Sequence, residues 1–230
     1  MTNTEEAERS DITFKIIVVG EVGVGKTSLV RRITRDVFNS VYKPTIGVDF
    51  CITDVLYQGK VLLELQLWDI GGQERFGNMT KLFYRDAAAA FVVCDSTRPQ
   101  TLSAAIKWKN DIDDKAELSP GRLLPCFLLY NKCDSDELIH SDEELAMFCS
   151  ENGFIGCYKT SAVTRMGVED LELGIVTYLM NMPQPEPEVL EPEVDLISLS
   201  TTQCYKRKSS SCCGSACEQP RRLKTYGQEL

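Results

Sequence analysis

The residues with the clearest chemical potential are Gly20-Glu21-Val22-Gly23-Val24-Gly25-Lys26-Thr27, which fit the phosphate-binding pattern G-x-x-x-x-G-K-[ST]. Glycines at these positions let consecutive backbone N–H groups turn onto phosphate oxygens. A helix N-terminus behind them adds positive field. Lys26 would reach the β- and γ-phosphates, and the Thr27 hydroxyl would bind Mg²⁺. Four fixed positions at average residue frequencies recur by chance in roughly 1% of chains this long, so a coincidental glycine turn is a weak alternative. Trp68-Asp69-Ile70-Gly71-Gly72-Gln73 places an acid at the end of a β-rich run. Asp69 there would hold the cation, directly or through water. Gly72 would bring its N–H to a γ-phosphate, and Gln73 would orient an attacking water, because an amide both donates and accepts. By itself this segment could be an ordinary turn after a strand; beside a phosphate loop it reads as catalytic.

Asn131-Lys132-Cys133-Asp134 lies about 105 residues after the loop lysine. An Asp134 carboxylate offers two acceptors to N1–H and N2–H₂ of guanine. Adenine lacks that donor pair, so the residue selects GTP over ATP. Asn131 would tie loops together, and the Lys132 stem can cover the base face. Thr160-Ser161-Ala162 follows the next strand-like run, where the Ala162 N–H could meet guanine O6. In the segment Phe38 to Gly47, Thr45 could give Mg²⁺ a second hydroxyl and Phe38 could meet guanine. Ordinary loop packing fits either residue equally well.

These segments need elements to hold them. Phe14–Val19 is a continuous apolar run ending at Gly20, as expected of a central strand covered on both faces. Leu29, Val30 and Ile33 give 26–35 a helical period. The runs 48–57 and 60–68 are β-rich around Gln58-Gly59 and suggest an antiparallel hairpin. Strands over 88–94, 123–130 and 155–160 then alternate with helices over 102–113, 142–152 and 168–181. This pattern predicts an α/β fold: a six-stranded, mostly parallel sheet with one antiparallel strand, flanked by about five helices.

The 230 residues are 43% hydrophobic and carry a net charge of −9, enough for a packed domain and unsuited to coating nucleic acid. The charge divides along the chain. Residues 1–182 carry −8, with 1–11 polar and expected disordered. Residues 183–195 hold four prolines and five acids and read as an extended linker. Residues 196–230 carry +4, are rich in Ser and Cys, and are expected to be disordered. No run of about 18 apolar residues needed for a membrane span is present, nor is a signal peptide. The single histidine, His140, reads as a solvated loop residue, which argues against a Ser-His or Cys-His hydrolase.

Over residues 12–182 the sequence resembles the Rab small GTPases of the Ras superfamily. The segments that carry the resemblance are 20–28, Thr45, WDIGGQERF (68–76), NKCD and TSA. Two more, Ile46–Phe50 and Phe83–Ala87, resemble Rab-specific segments. The resemblance implies a P-loop NTPase fold and a GTP-hydrolysing switch in vesicle trafficking, with Mg²⁺ as cofactor. Residues 21–28, Phe38, Tyr42, Thr45, Gly72, Asn131, Lys132, Asp134, Ser161 and Ala162 would surround the nucleotide. Thr27, Thr45 and Asp69 would serve the metal and Gln73 the catalysis. Ile46, Phe50, Trp68 and Phe83 would form the effector face. Exchange factors, GTPase-activating proteins and effectors are the implied partners of a monomer that sits reversibly on the cytosolic face of membranes. WDIGGQERFGNMT and WKNDID resemble the subgroup serving lysosome-related organelles and the trans-Golgi. A Rab-like scaffold that does not hydrolyse nucleotide is the alternative, and an ATP-using kinase conflicts with NKCD.

Three positions and the C-terminal tail depart from the family pattern. Val22 stands where Rabs usually have Ser, and a branched side chain there would crowd Gln73 and an activator's arginine, slowing intrinsic hydrolysis. Gly71 replaces a usual Ala, and Val163 a frequent Lys. Cys212, Cys213 and Cys217 resemble a prenylated tail, yet thirteen residues follow Cys217 and no prenyl motif ends the chain. S-palmitoylation beside the basic cluster, an unmodified thiol-rich tail and an alternatively spliced terminus are the readings left open. Cys51, Cys94, Cys126, Cys133, Cys149 and Cys157 read as small core residues.

Overall fold

The computed structural model describes residues 12–73, 80–119, 121–135, 138–182 and 224–226. In chain order the elements are β1 (Ile12–Gly20), α1 (Lys26–Arg35), β2 (Val48–Tyr57), β3 (Val61–Ile70), α2 (Thr80–Tyr84), β4 (Ala89–Asp95) and α3 (Pro99–Lys115). After these come β5 (Glu117–Ser119), β6 (Arg122–Leu123), β7 (Cys126–Asn131), α4 (Asp142–Glu151), β8 (Gly156–Thr160), α5 (Val168–Asn181) and β9 (Lys224–Tyr226). The main sheet runs β8-β7-β4-β1-β3-β2-β9, and β5 and β6 form a separate ribbon. Within the main sheet only β2 and β3 pair antiparallel, as the hairpin reading expected.

Period-two alternation along the central strands builds two cores. Phe14, Ile16 and Val18 of β1 join Leu63, Leu65 and Leu67 of β3 beneath α1 and α5. Ile17 and Val19 point the other way, with Ala90, Val92 and Cys94 of β4, toward Trp108 and Ile112 of α3. Helix α4 starts on a capping box in which Ser141 and Glu144 bond each other's backbone N–H.

Three expectations need correction. The run 123–130 is not one strand: Pro125, which has no N–H, precedes β7, and 122–123 belong to the ribbon. The sheet has a seventh strand beyond the six expected. That strand comes from the tail expected to be disordered, because residues 224–226 pair with the outer edge of β2. The other tail residues, the linker and residues 1–11 lie outside the described residues, as do Cys212, Cys213 and Cys217. Of the six domain cysteines, five are buried and Cys157 is half-buried. Burial pushes the Cys126 thiol up to about 12, consistent with an inert core residue. His140 is not fully solvated either; its Nδ1 lies 2.9 Å from the Tyr130 hydroxyl.

Candidate guanine-nucleotide site

The functional segments converge because the parallel strands β1, β4, β7 and β8 all end on one side of the sheet. There they border a cavity of about 450 Å³. Its lining includes Val22, Gly23, Gly25, Lys26, Thr27 and Ser28 from the phosphate loop, and Phe38, Tyr42 and Thr45 from the segment before β2. Gly72 and Gln73 follow β3, and Asn131, Lys132, Asp134 and Ala162 also line it. Glu21, Val24, Asp69 and Ser161 support it from behind. Val24 is fully buried in the core under α1, so its contribution is its backbone.

Lys26 folds back over the loop, donating to the carbonyls of Gly20 (2.8 Å) and Glu21 (2.9 Å). Burial holds its ammonium down at about 8, against the opposing pull of Asp69 and Glu21. A buried cation at the edge of an open cavity, with the Gly20 and Glu21 carbonyls as its hydrogen-bond partners among the described residues, suits a multiply charged anion. The Thr27 hydroxyl donates to Asp69 Oδ2, Thr45 donates to the same oxygen at 3.2 Å, and the two hydroxyls lie 2.7 Å apart. All three residues expected at the metal are therefore together. Asp69 Oδ1 is buried and has no hydrogen-bond partner. Burial raises the carboxyl above its usual range, which Lys26 and the two hydroxyls partly offset. A carboxylate with a free oxygen beside two hydroxyls is a hard-oxygen donor set, and it fits Mg²⁺ completed by phosphate and water.

Asn131 joins the base and phosphate segments as expected. Its Nδ2 donates to Val24 O at 2.9 Å, and its Oδ1 accepts from Thr160 at 3.3 Å. That approach requires Gly25, whose φ is 101° and whose added Cβ would lie 2.4 Å from Asn131 Nδ2. Ser161 donates to Asp134 Oδ1 at 2.7 Å and so orients the exposed carboxylate. Gly72 packs against the phosphate loop so closely that a Cβ would come within 2.7 Å of the Val22 nitrogen. Gly71 donates its N–H to Gly47 O at 2.9 Å, linking the segments on either side of the γ-phosphate position.

Sequence reasoning missed Asp95 and Arg98. Asp95, at the end of β4, accepts from Lys132 Nζ (2.7 Å) and from Arg98 Nε (2.8 Å). These bonds hold its carboxyl below the usual range despite burial. Arg98 Nη2 also reaches the Val22 carbonyl at 3.2 Å, bracing the phosphate loop from outside. The signal was available: an acid closing the strand Ala89–Asp95, three residues before an arginine.

Phe50 and Trp68 are cross-strand partners in β2 and β3 and stack with centroids 5.9 Å apart. Lys15 Nζ covers the Trp68 ring at 4.0 Å. Phe83 is half-buried and packs on the same core as Trp68. Phe50 and Ile46 are open to solvent, Ile46 at 90% exposure. Together they make an apolar surface beside the cavity.

Residues 15–181 match the Ras family. Human Ras-related protein Rab-32 is 41% identical over 207 residues, covering 90% of this chain and 92% of its own length. Human Rab-7L1 is 40% identical over 203 residues, covering 88% and 98%. This chain is a Rab small GTPase of the Ras family. Rab-32A of Dictyostelium discoideum, at 37% identity over 207 residues, gives the same placement. As a Rab, the chain is a guanine-nucleotide switch of membrane traffic, in a family that uses Mg²⁺, exchange factors, activating proteins and effectors. No helix among the described residues is long and apolar enough to cross a membrane.

Proposed function

We propose that this Rab binds GTP with Mg²⁺, hydrolyses it slowly by in-line attack of water, and recruits effectors while GTP is bound. The observation that carries this reading is the convergence of Thr27, Thr45 and Asp69, with the free Asp69 Oδ1, beside Lys26 at one end of the cavity. Bound Mg²⁺ would supply charge neutralisation for the β- and γ-phosphates. Lys26 exchanges its two loop carbonyls for phosphate oxygens, and the loop N–H groups stabilise charge developing on the leaving group. Gln73, exposed at the cavity rim, orients the water. Asp134, held by Ser161, selects guanine.

Thr45 and Gly72 belong to the two segments that contact the γ-phosphate, and the Gly71–Gly47 hydrogen bond couples them. Loss of the γ-phosphate releases both, which changes the adjoining surface formed by Ile46, Phe50, Trp68 and Phe83. That surface is where effectors dock. Val22 lines the same cavity as Gln73, which supports a low intrinsic rate and the need for an activating protein that supplies an arginine in trans. The relatives Rab-32 and Rab-7L1 support service on endosomal, lysosome-related or trans-Golgi membranes.

Single-turnover hydrolysis of bound GTP, with Gln73→Leu as control, tests the enzymatic reading. Slow phosphate release that Gln73→Leu suppresses at least tenfold is expected. Equal, undetectable release from both proteins would leave the non-hydrolysing scaffold.

A further inference from the structure

We propose that the outer edge of β2, together with Glu172, forms a docking slot for an extended lysine-bearing segment, and that residues 224–226 fill it in cis as a latch on the tail. The proposal goes beyond the nucleotide switch and does not depend on it. Its starting point is a charged residue in the wrong place. Helix α5 packs Leu171, Ile175, Val176 and Leu179 into the core, and Glu172 lies on the same packed side with 2% exposure. Burial raises its carboxyl above the usual range. A lone carboxylate there would be strongly destabilising, and such groups persist in folded proteins when they are paired.

The partner is Lys224. Its ammonium donates to Glu172 Oε1 and to the backbone carbonyl of Ile33, in the last turn of α1, where carbonyls lack helical partners. Lys224 is itself buried, and burial pulls its ammonium below the ordinary value. Lys224 and Glu172 face each other, and each opposes the effect of burial on its partner. The neighbouring Arg165 is paired with Asp36 and Glu169 on the seam between α1 and α5, and from there its charge also favours the Glu172 carboxylate, while the direct contact is the one to Lys224.

The backbone supplies the second half of the slot. Residues 224–226 run parallel to β2 in the register Lys224–Val55, Thr225–Leu56 and Tyr226–Tyr57. Val55 faces the core under α1 and α5, so its register partner Lys224 is aimed into that layer. Three ladder positions alone make a marginal strand. The specificity therefore rests on one lysine in one register, and the contact belongs to the low-stability end of the structure, where local opening is easy.

Occupation in cis follows from chain length. Forty-one residues separate Met182, just past α5, from Lys224. Random-coil statistics for that length give an end-to-end distance of roughly 35 Å, and an extended linker would reach further. The local concentration of the tail is then of order millimolar, above that of any competing copy in the cytosol. The latch closes the tail into a loop, with the segment carrying Cys212, Cys213 and Cys217 between two fixed ends.

The test is backbone hydrogen exchange on the full chain loaded with GDP, with stoichiometric GDP binding as the check that each variant is folded. Val55–Tyr57 should be protected in the parent. Lys224→Met should speed exchange at least tenfold at those of these amides that face β9 and leave those that face β3 unchanged, and so should a chain ending at residue 223. The double variant Glu172→Met/Lys224→Met should recover protection, because an apolar pair can replace a buried ion pair. Unchanged exchange in Lys224→Met, or no recovery in the double variant, overturns the latch. Protection that appears only with concentration-dependent dimers in sedimentation overturns the cis assignment, since a second copy would then fill the slot.

Discussion

Asn131→Ala is the sharpest perturbation of the site because one side chain spans two nucleotide segments. Asn131 is buried, and it donates to Val24 O at 2.9 Å and accepts from Thr160 at 3.3 Å. The substitution leaves the Val24 carbonyl and the Thr160 hydroxyl without their partner. The shorter bond is the stronger, and an orphaned buried acceptor costs about 1–3 kcal/mol. The longer bond adds about 1 kcal/mol, because the hydroxyl can rotate toward another acceptor. The expected loss is about 2–4 kcal/mol, or roughly 5–15 °C in the Tm of a domain this size. Thermal unfolding of the GDP-loaded protein measures it. Asn131→Asp refines the test: it keeps the acceptor for Thr160 but turns a carboxylate oxygen toward the Val24 carbonyl. It should be at least as destabilising as alanine. A Tm within about 2 °C of the parent for both variants would show that the Asn131 bridge is not what holds these loops together.

Three further outcomes follow from the same geometry. Val22→Ser should raise the single-turnover hydrolysis rate several-fold by clearing space beside Gln73, and an unchanged rate would remove the crowding argument. Gly72→Ala should leave GDP affinity within threefold and lower hydrolysis more than tenfold, because its Cβ would come within 2.7 Å of the Val22 nitrogen; phosphate release and fluorescent-GDP binding read the two effects. Burial holds Lys26 at about 8 in the free domain, below its unfolded value, so the unfolded state binds more protons above that pH. For this group, domain stability therefore rises between pH 8 and the ordinary lysine value. Phosphate binding requires the charged ammonium, so GDP affinity should fall as pH rises through about 8. Titrations from pH 7 to 9.5 should lose that slope in Lys26→Met.

The nucleotide site was legible because its geometry is written in short-range sequence. Gly25 is dictated by the Asn131 approach and Gly72 by contact with the phosphate loop. The continuous apolar run around Ile16, the β-rich run around Leu65 and the helical period of α1 gave the layers that present these residues. Asp95 and Arg98 were legible only as an acid ending a strand three residues before an arginine; their role depends on Lys132 arriving from another strand. Residues 224–226 were unreadable for a related reason. Their composition is that of a polar tail, and the feature that orders them is Glu172, some fifty positions earlier. Long-range pairing of two charges leaves no periodic trace in either segment.

The placement of β9 gives the domain two functional poles. β2 runs antiparallel to β1, so Val48 lies at the nucleotide end of the sheet and Tyr57 at the far end. β9 meets only Val55–Tyr57, roughly 23 Å down the strand from Val48. Helix α5 likewise begins beside Ser161 and runs away from the nucleotide, so both anchored ends of the tail lie away from the Phe50–Trp68 surface. Anything that held the tail would therefore meet the domain from the side opposite its nucleotide end and leave the Phe50–Trp68 surface uncovered.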